Sequence, residues 1–269
     1  MPPNAFDHID EIRSIVLSGR CGLFADFDGT LSHIVATPLA AQVSQRAATS
    51  LRKLISQTSL VSVISGRAAQ DIKQRVDIDG VLYVGNHGAE YFDDEEMSVA
   101  PEVVPYVSKI EGVLSDLRNV VKLPGIVWDY KTYSLAVHYR QTEHPDQAKA
   151  LLQRAWDETP DANELDLFWG KMVMEIRPPV GIHKGYAIKR LVQEHRLDSV
   201  IMLGDDMTDI DGFRTIRSLC GTKGAGILVL HDDTAEALLE PSDYSVHGVE
   251  GVEQFLEWLV SVTSDMSHD

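Results

Sequence analysis

Residues 21–31 read CGLFADFDGTL: five apolar or small residues run straight into two carboxylates, Asp26 and Asp28, followed by Gly29. A run of that length with no polar alternation predicts a strand buried on both faces, the pattern of a parallel sheet. In such sheets the reactive groups stand just past the carboxyl ends of strands. Asp26 and Asp28 are therefore placed to face one crevice, with Phe27 directed to the other side and Gly29 permitting a sharp turn. Two unit charges about 4 Å apart at an effective dielectric of about 20 repel by roughly 4 kcal/mol, so the pair calls for a divalent cation or a shared proton.

The same pattern recurs outward from this stretch. Apolar runs at 60–64, 81–84, 200–203 and 226–230 alternate with amphipathic segments at 44–57 and 186–195, where Ile188, Leu191 and Val192 share one helical face. This predicts an α/β fold with a parallel, Rossmann-like sheet. A second acidic cluster, Gly204-Asp205-Asp206-Met207-Thr208-Asp209, follows the run at 200–203 and leads into a helix. It is rich in oxygen donors with no Cys or His nearby, which suits Mg²⁺. Ser65-Gly66-Arg67 closes the run at 60–64 and is expected to begin a helix, forming an anion cradle. Lys184-Gly185 is expected to open the helix that begins near Tyr186.

The middle of the chain differs. Strand candidates at 126–130, 134–139, 165–169 and 172–177 surround helix candidates at 107–122 and 147–158, an α+β insert. Pro101 and Pro105 on one side, and Pro178, Pro179 and Gly181 on the other, are its expected hinges. The tail after Thr263 is expected to fray. No internal repeat or low-complexity tract is present.

With 269 residues, 44% of them hydrophobic, the chain can bury one large core or two modest ones. Its 24 Lys and Arg against 41 Asp and Glu leave a net charge of −17, which argues against nucleic acid as a partner. Cys21 and Cys220 form no disulfide framework or metal spacing. The early apolar run at 12–17 is broken by Arg13 and followed by Arg20, too short for a signal peptide or a membrane span. A cytoplasmic, monomeric protein with no membrane partner is expected.

The ordered set DFDGTL, SGR, KG and GDDMTD resembles the four motifs of haloacid-dehalogenase-superfamily phosphatases across nearly the whole chain. Within that superfamily, DFDGTLSHIVATP at 26–38, VISGR at 63–67, NHGAE at 86–90, KTYSLAVHYR at 131–140, MEIRP at 174–178 and GDDMTDID at 204–211 are similar to trehalose-6-phosphate phosphatases. The resemblance implies a core domain of residues 1–103 and 179–269 and a cap domain of residues 104–178. It implies Asp26 as the nucleophile that forms an aspartyl-phosphate, and Asp28 as the group that protonates the leaving sugar oxygen and then activates water. Lys184, Thr30, Ser65, Gly66 and Arg67 would hold phosphate oxygens. Mg²⁺ would be bound by Asp26, the Asp28 backbone carbonyl and Asp205, with Asp206 and Asp209 acting through water or hydrogen bonds to those ligands.

The implied partner is a small-molecule sugar phosphate. Lys131 and Glu175 of the insert are singled out as sugar ligands, and His87 and His138 are marked as well. The aromatics Trp128, Tyr133 and Trp169 of the insert are expected to be mostly its own core. One departure stands out: Asp129 occupies the position where the family usually has Glu. Its shorter side chain leaves another phosphorylated disaccharide or a glucosyl polyol as an alternative substrate. A phosphomutase and a catalytically silent sugar-phosphate sensor are the rival readings, the latter opposed by the intact Asp26, Asp28, Lys184 and Asp205.

Overall fold

The computed structural model describes residues 1–35, 40–93 and 96–264. Positions 36–38 of the DFDGTLSHIVATP stretch, and residues 265–269 of the tail expected to fray, lie outside the described residues. The chain divides into two compact units, Met1–Ser98 with His183–Asp269, and Val99–Ile182.

The strands in chain order are β1 (Cys21–Ala25), β2 (Leu60–Ile64), β3 (Leu82–Gly85), β4 (Glu90–Asp93), β5 (Glu96–Val99), β6 (Val127–Tyr130), β7 (Leu135–His138), β8 (Asp166–Gly170), β9 (Val173–Arg177), β10 (Ser199–Gly204), β11 (Lys223–Leu230) and β12 (Tyr244–His247). The α-helices are α1 (Ile9–Val16), α2 (Gln45–Leu54), α3 (Ala69–Val76), α4 (Val107–Val120), α5 (Pro145–Glu158), α6 (Lys184–His195), α7 (Ile210–Ser218) and α8 (Gly248–Ser264).

The larger unit holds a sheet of order β12-β11-β10-β1-β2-β3-β4-β5, parallel from β12 to β3, with β4 antiparallel to β3. The chain leaves β1 toward β2 and β3, then returns on the other side of β1 as β10. That reversal opens a crevice beyond the carboxyl ends of β1 and β10, the usual ligand position of such sheets. The central strands alternate between two cores. Leu23 and Ala25 of β1 and Ile201 and Leu203 of β10 join Ile12, Leu51 and Phe255 on one face. Phe24, Val200 and Met202 join Ile188, Leu191, Phe213 and Ile216 on the other. Burial on both faces is what the unbroken apolar runs predicted.

β1 and β2 have the bounds expected, while β11 begins at Lys223 rather than at 226. Gly224 and Gly226 dilute its apolar signal, yet a Cβ on either would stand 2.3 Å from Ile216 or 2.6 Å from Phe213. The glycines are what let α7 pack onto the strand. β4, β5 and β12 went unpredicted because they carry Glu, Asp, Ser and His and lack a continuous apolar run.

The smaller unit is an antiparallel sheet of order β6-β7-β9-β8. Leu135, Val137, Met174 and Ile176 pack on one face against Ile110, Val113 and Leu117 of α4 and Ala148, Leu152 and Ala155 of α5. Trp128 and Trp169 lean on that cluster, as expected of core aromatics. On the opposite face Asp129, Ala136, Glu175 and Phe168 stand in one cross-strand row. The fold class is the expected one, an α/β core with an α+β insert. Among the described residues, no helix is long and apolar enough to cross a membrane.

Candidate active site

Four neighbouring parallel strands each deliver a polar residue at their first position past the carboxyl end: Ser65 after β2, Asp26 after β1, Asp205 after β10 and His231 after β11. Asp26 is 5% exposed, and its N–H donates to Leu203 O (2.9 Å), tying the start of the loop to β10. The chain then turns within one residue. The N–H groups of Leu31 and Ser32 both donate to Phe27 O, and Gly29 has φ +84°. Only glycine suits that position twice over: the backbone is left-handed, and a Cβ there would lie 2.1 Å from an Asp205 carboxylate oxygen.

Lys184 opens α6 and is 1% exposed; its Nζ lies 2.8 Å from Asp26 Oδ1 and 2.7 Å from Asp209 Oδ1. The helix thus begins two residues earlier than Tyr186, with His183 as its N-cap. Asp209 uses its other oxygen to accept the N–H groups of Asp205 (3.0 Å) and Asp206 (2.9 Å), so it organises the GDDMTD loop. Asp206 is exposed and caps the short turn that follows, accepting the Met207 N–H at 2.6 Å. Thr30 donates from Oγ1 to Asp205 Oδ1 (3.1 Å).

Oxygens of Asp26, Asp205 and Asp209 all lie within 4.8 Å of one another. Burial pushes all three carboxyls upward. Asp26 is raised further by Asp209 and Asp28, and Asp205 by Asp26 and Asp209, with Lys184 opposing. Lys184 is fully buried, which works to lower it, but Asp209 and Asp26 outweigh that and raise it. Three crowded carboxylates against one ammonium leave negative charge in excess, and the donors are all hard oxygens, so the set fits Mg²⁺.

Asp28 is held from the other side. Arg67 donates through Nε to Asp28 Oδ2 (2.6 Å), through Nη2 to Asp28 Oδ1 (2.7 Å) and through Nη1 to Asp71 Oδ2 (3.1 Å). Residues 65–68 form a loop, and α3 starts only at Ala69, so the helix expected at Ser65-Gly66-Arg67 begins later than the motif. The late start has a cause. Glu90 of β4 caps α3 in place of a local side chain, its Oε2 accepting the Ala69 N–H at 2.7 Å. His87 sits in the positive-φ turn 86–88, its N–H donating to Ser65 O (2.9 Å), and a Cβ on Gly66 would lie 2.6 Å from its ring.

His231 was not anticipated. Its Nε2 is 2.8 Å from Gly29 O, to which it donates, and 3.9 Å from Asp205 Oδ2. The rule that selected Asp26, Ser65 and Asp205, a polar residue just past a buried run, would have found it.

The smaller unit carries its own polar cluster. Lys131 Nζ is 3.5 Å and His138 Nε2 4.0 Å from Asp129 Oδ2. Burial works to raise Asp129, but His138 and Lys131 outweigh it and hold the carboxyl below its ordinary range. Glu175 pairs with Arg177, whose guanidinium lies 4.9 Å from the centre of the Phe168 ring. Phe168, 46% exposed and beside Glu175 in the register, was not anticipated either. Phe168 is an exposed aromatic on the edge strand β8, and its place beside Glu175 shows only in the strand register.

The signature of the trehalose-phosphatase family matches residues 24–243. Over 232 residues the chain is 32% identical to a trehalose-phosphate phosphatase of Mycobacterium avium, covering 82% of this chain and 57% of that protein. A Mycobacterium tuberculosis protein described as an uncharacterized glycosyl hydrolase is 32% identical over 243 residues, 86% of this chain and 18% of that protein. The chain therefore spans just over half of the first relative and a small part of the second. Among solved structures, the C-terminal domain of the Candida albicans trehalose-6-phosphate phosphatase matches with a TM-score of 0.78 at 22% identity, covering 97% of this chain and 98% of that one. At that identity the likeness is one of fold.

Proposed function

The chain belongs to the trehalose-phosphatase family, and from that premise we propose that it hydrolyses a sugar phosphate, trehalose 6-phosphate, to trehalose and phosphate. The observation that carries this reading is the buried Asp26–Lys184–Asp209 arrangement with Asp205 beside it, at the mouth of the β1/β10 crevice.

Asp26 attacks phosphorus, the bond to the sugar oxygen breaks, and the departing oxygen takes a proton from Asp28. A water then gives its proton to Asp28 and attacks the aspartyl-phosphate, restoring the Asp26 carboxylate. Lys184 offsets the charge of the phosphate on a protein that is otherwise strongly acidic. Thr30, Ser65 and Gly66 are further phosphate contacts. Asp26, Asp205 and the Asp28 carbonyl would hold Mg²⁺, which when bound supplies positive charge against the phosphate oxygens. Asp206 and Asp209 support those ligands through the loop. Product analysis tests the reading: free trehalose and inorganic phosphate are expected in equal amounts. An isomerised sugar phosphate would show a mutase, and binding without release a sensor.

Chelation with EDTA is expected to abolish phosphate release and added Mg²⁺ to restore it, with Asp205→Ala raising the Mg²⁺ requirement or ending turnover. Full activity in exhaustively chelated buffer would contradict the metal assignment.

The face of the smaller unit that carries this row supplies sugar recognition through Lys131 and Glu175, with Asp129 at one end of the row and 3.5 Å from Lys131. Lys131→Ala or Glu175→Ala is expected to lower kcat/KM for trehalose 6-phosphate by roughly 1.5–3 kcal/mol, the scale of a charge-assisted hydrogen bond. Hydrolysis of p-nitrophenyl phosphate, which has no sugar, should change little. Equal losses on both esters would show that these residues serve the fold of the unit. Asp129 favours one alternative, a phosphorylated glycoside fitted to the shorter carboxylate. Asp129→Glu should improve turnover of trehalose 6-phosphate if that sugar is the native one, and a drop would favour the alternative.

A further inference from the structure

Arg67, Asp71 and Arg75 are spaced four residues apart, so the loop before α3 and the first turns of the helix bring them onto one stripe. Asp71 accepts Arg67 Nη1 on Oδ2 (3.1 Å) and is gripped by Arg75 through Nε (2.8 Å) and Nη2 (2.7 Å). Arg75 is 7% exposed and donates through Nη1 to Ala41 O (3.0 Å). Its own carbonyl accepts the Val43 N–H (3.5 Å). The outer end of the chain of charges is therefore anchored in buried backbone. Its inner end is the two-pronged grip of Arg67 on Asp28.

Asp28 needs such a grip. Its side chain is 41% exposed and stands on a turn next to a glycine, whereas Arg67 is 14% exposed and also lies 5.5 Å from the centre of the Phe27 ring. A half-exposed carboxyl on a short side chain samples several rotamers. A planar guanidinium fixed at both ends holds it in one orientation. Proton transfer to a leaving group depends on such placement.

We propose that Asp71 and Arg75 are positioning residues for the reaction, acting through Arg67 to aim the Asp28 carboxyl at the leaving oxygen. This rests on Asp28 being the group that protonates that oxygen. Arg67 is then a support for Asp28 as well as a neighbour of the phosphate site.

Leaving groups of different basicity separate this role from a structural one. Nitrophenolate departs without a proton, phenolate with a pKa of about 10 benefits from one, and a sugar alkoxide requires it. The experiment measures kcat/KM of Asp71→Asn on p-nitrophenyl phosphate, phenyl phosphate and trehalose 6-phosphate, with Asp28→Asn as the reference. The expected result for Asp71→Asn is a loss of about tenfold or more on the sugar ester, a smaller loss on the phenyl ester, and a change within about twofold on the nitrophenyl ester. Ratios between esters do not depend on the folded fraction, so partial destabilisation does not blur the comparison. Should Asp71→Asn yield no soluble protein, Arg75→Lys keeps the charge, loses the fork, and is expected to show the same order with smaller steps.

Equal losses on all three esters, or none, overturn the proposal. If Asp28→Asn grades the esters and Asp71→Asn does not, the positioning role fails while Asp28 keeps its assignment. If Asp28→Asn itself shows no grading, the assignment of Asp28 fails and the proposal falls with it.

Discussion

Asp26→Asn is expected to reduce turnover of any phosphate ester by more than 100-fold while the protein remains folded. The amide keeps the side-chain volume but cannot attack phosphorus, and a factor of 100 is only about 2.7 kcal/mol of barrier, a low threshold for a group proposed to form the covalent bond. The fold should not suffer. Asp26 is one of three carboxylates whose oxygens lie within 4.8 Å of one another, and removing its charge relieves repulsion with Asp205 and Asp209 while Lys184 keeps its 2.7 Å contact to Asp209. The expected Tm in metal-free buffer is unchanged or higher. Retention of more than about 1% of the rate would remove Asp26 from the nucleophile's role.

Lys184→Met has the second largest expected effect, and unlike Asp26→Asn it falls on both stability and rate. The ammonium is the buried partner of Asp26 and Asp209 together. Removing one member of a buried charge pair costs about 3–5 kcal/mol, because the remaining charges are left without compensation. For a unit of this size that lowers Tm by roughly 10 °C. The sign of the pH dependence follows from the carboxyls, which burial already pushes upward. Without Lys184 they fold protonated, a stabilisation present in acidic buffer and lost as pH rises through their raised values. The deficit relative to wild type should therefore be smaller in mildly acidic buffer than at neutral pH, and a thermal melt series would read it. Phosphate release should fall at least about 100-fold in the same variant. A variant with wild-type melting behaviour and near-normal release would contradict the buried ion arrangement.

How far the sequence could be read depended on where each signal lies. The central strands were legible because burial on both faces forces unbroken apolar runs, and the residues after those runs marked Asp26, Ser65 and Asp205. Lys184 was found by its motif, but its burial between two carboxylates depends on α6 meeting the ends of β1 and β10. Strands β4, β5 and β12 were not legible, since their polar residues follow no inward and outward alternation that a single sequence shows. Lys223 and Gly224 hid the first three residues of β11. Glu90 as the cap of α3 was also out of reach, because it lies on a strand twenty-one positions from the Ala69 N–H that it accepts. The partnership of Arg67 with Asp28 spans thirty-nine positions. By contrast, the four-residue spacing of Arg67, Asp71 and Arg75 was present in the sequence and needed only to be read as one stripe.

The most direct test of the account is a phosphate-release panel with Mg²⁺ over trehalose 6-phosphate, glucose 6-phosphate, sucrose 6-phosphate and a glucosyl-glycerol phosphate. The account predicts a kcat/KM for trehalose 6-phosphate at least about tenfold above every other ester, which corresponds to about 1.4 kcal/mol of selective transition-state binding. A preference of that size for another sugar, or no phosphate release from trehalose 6-phosphate, would contradict it.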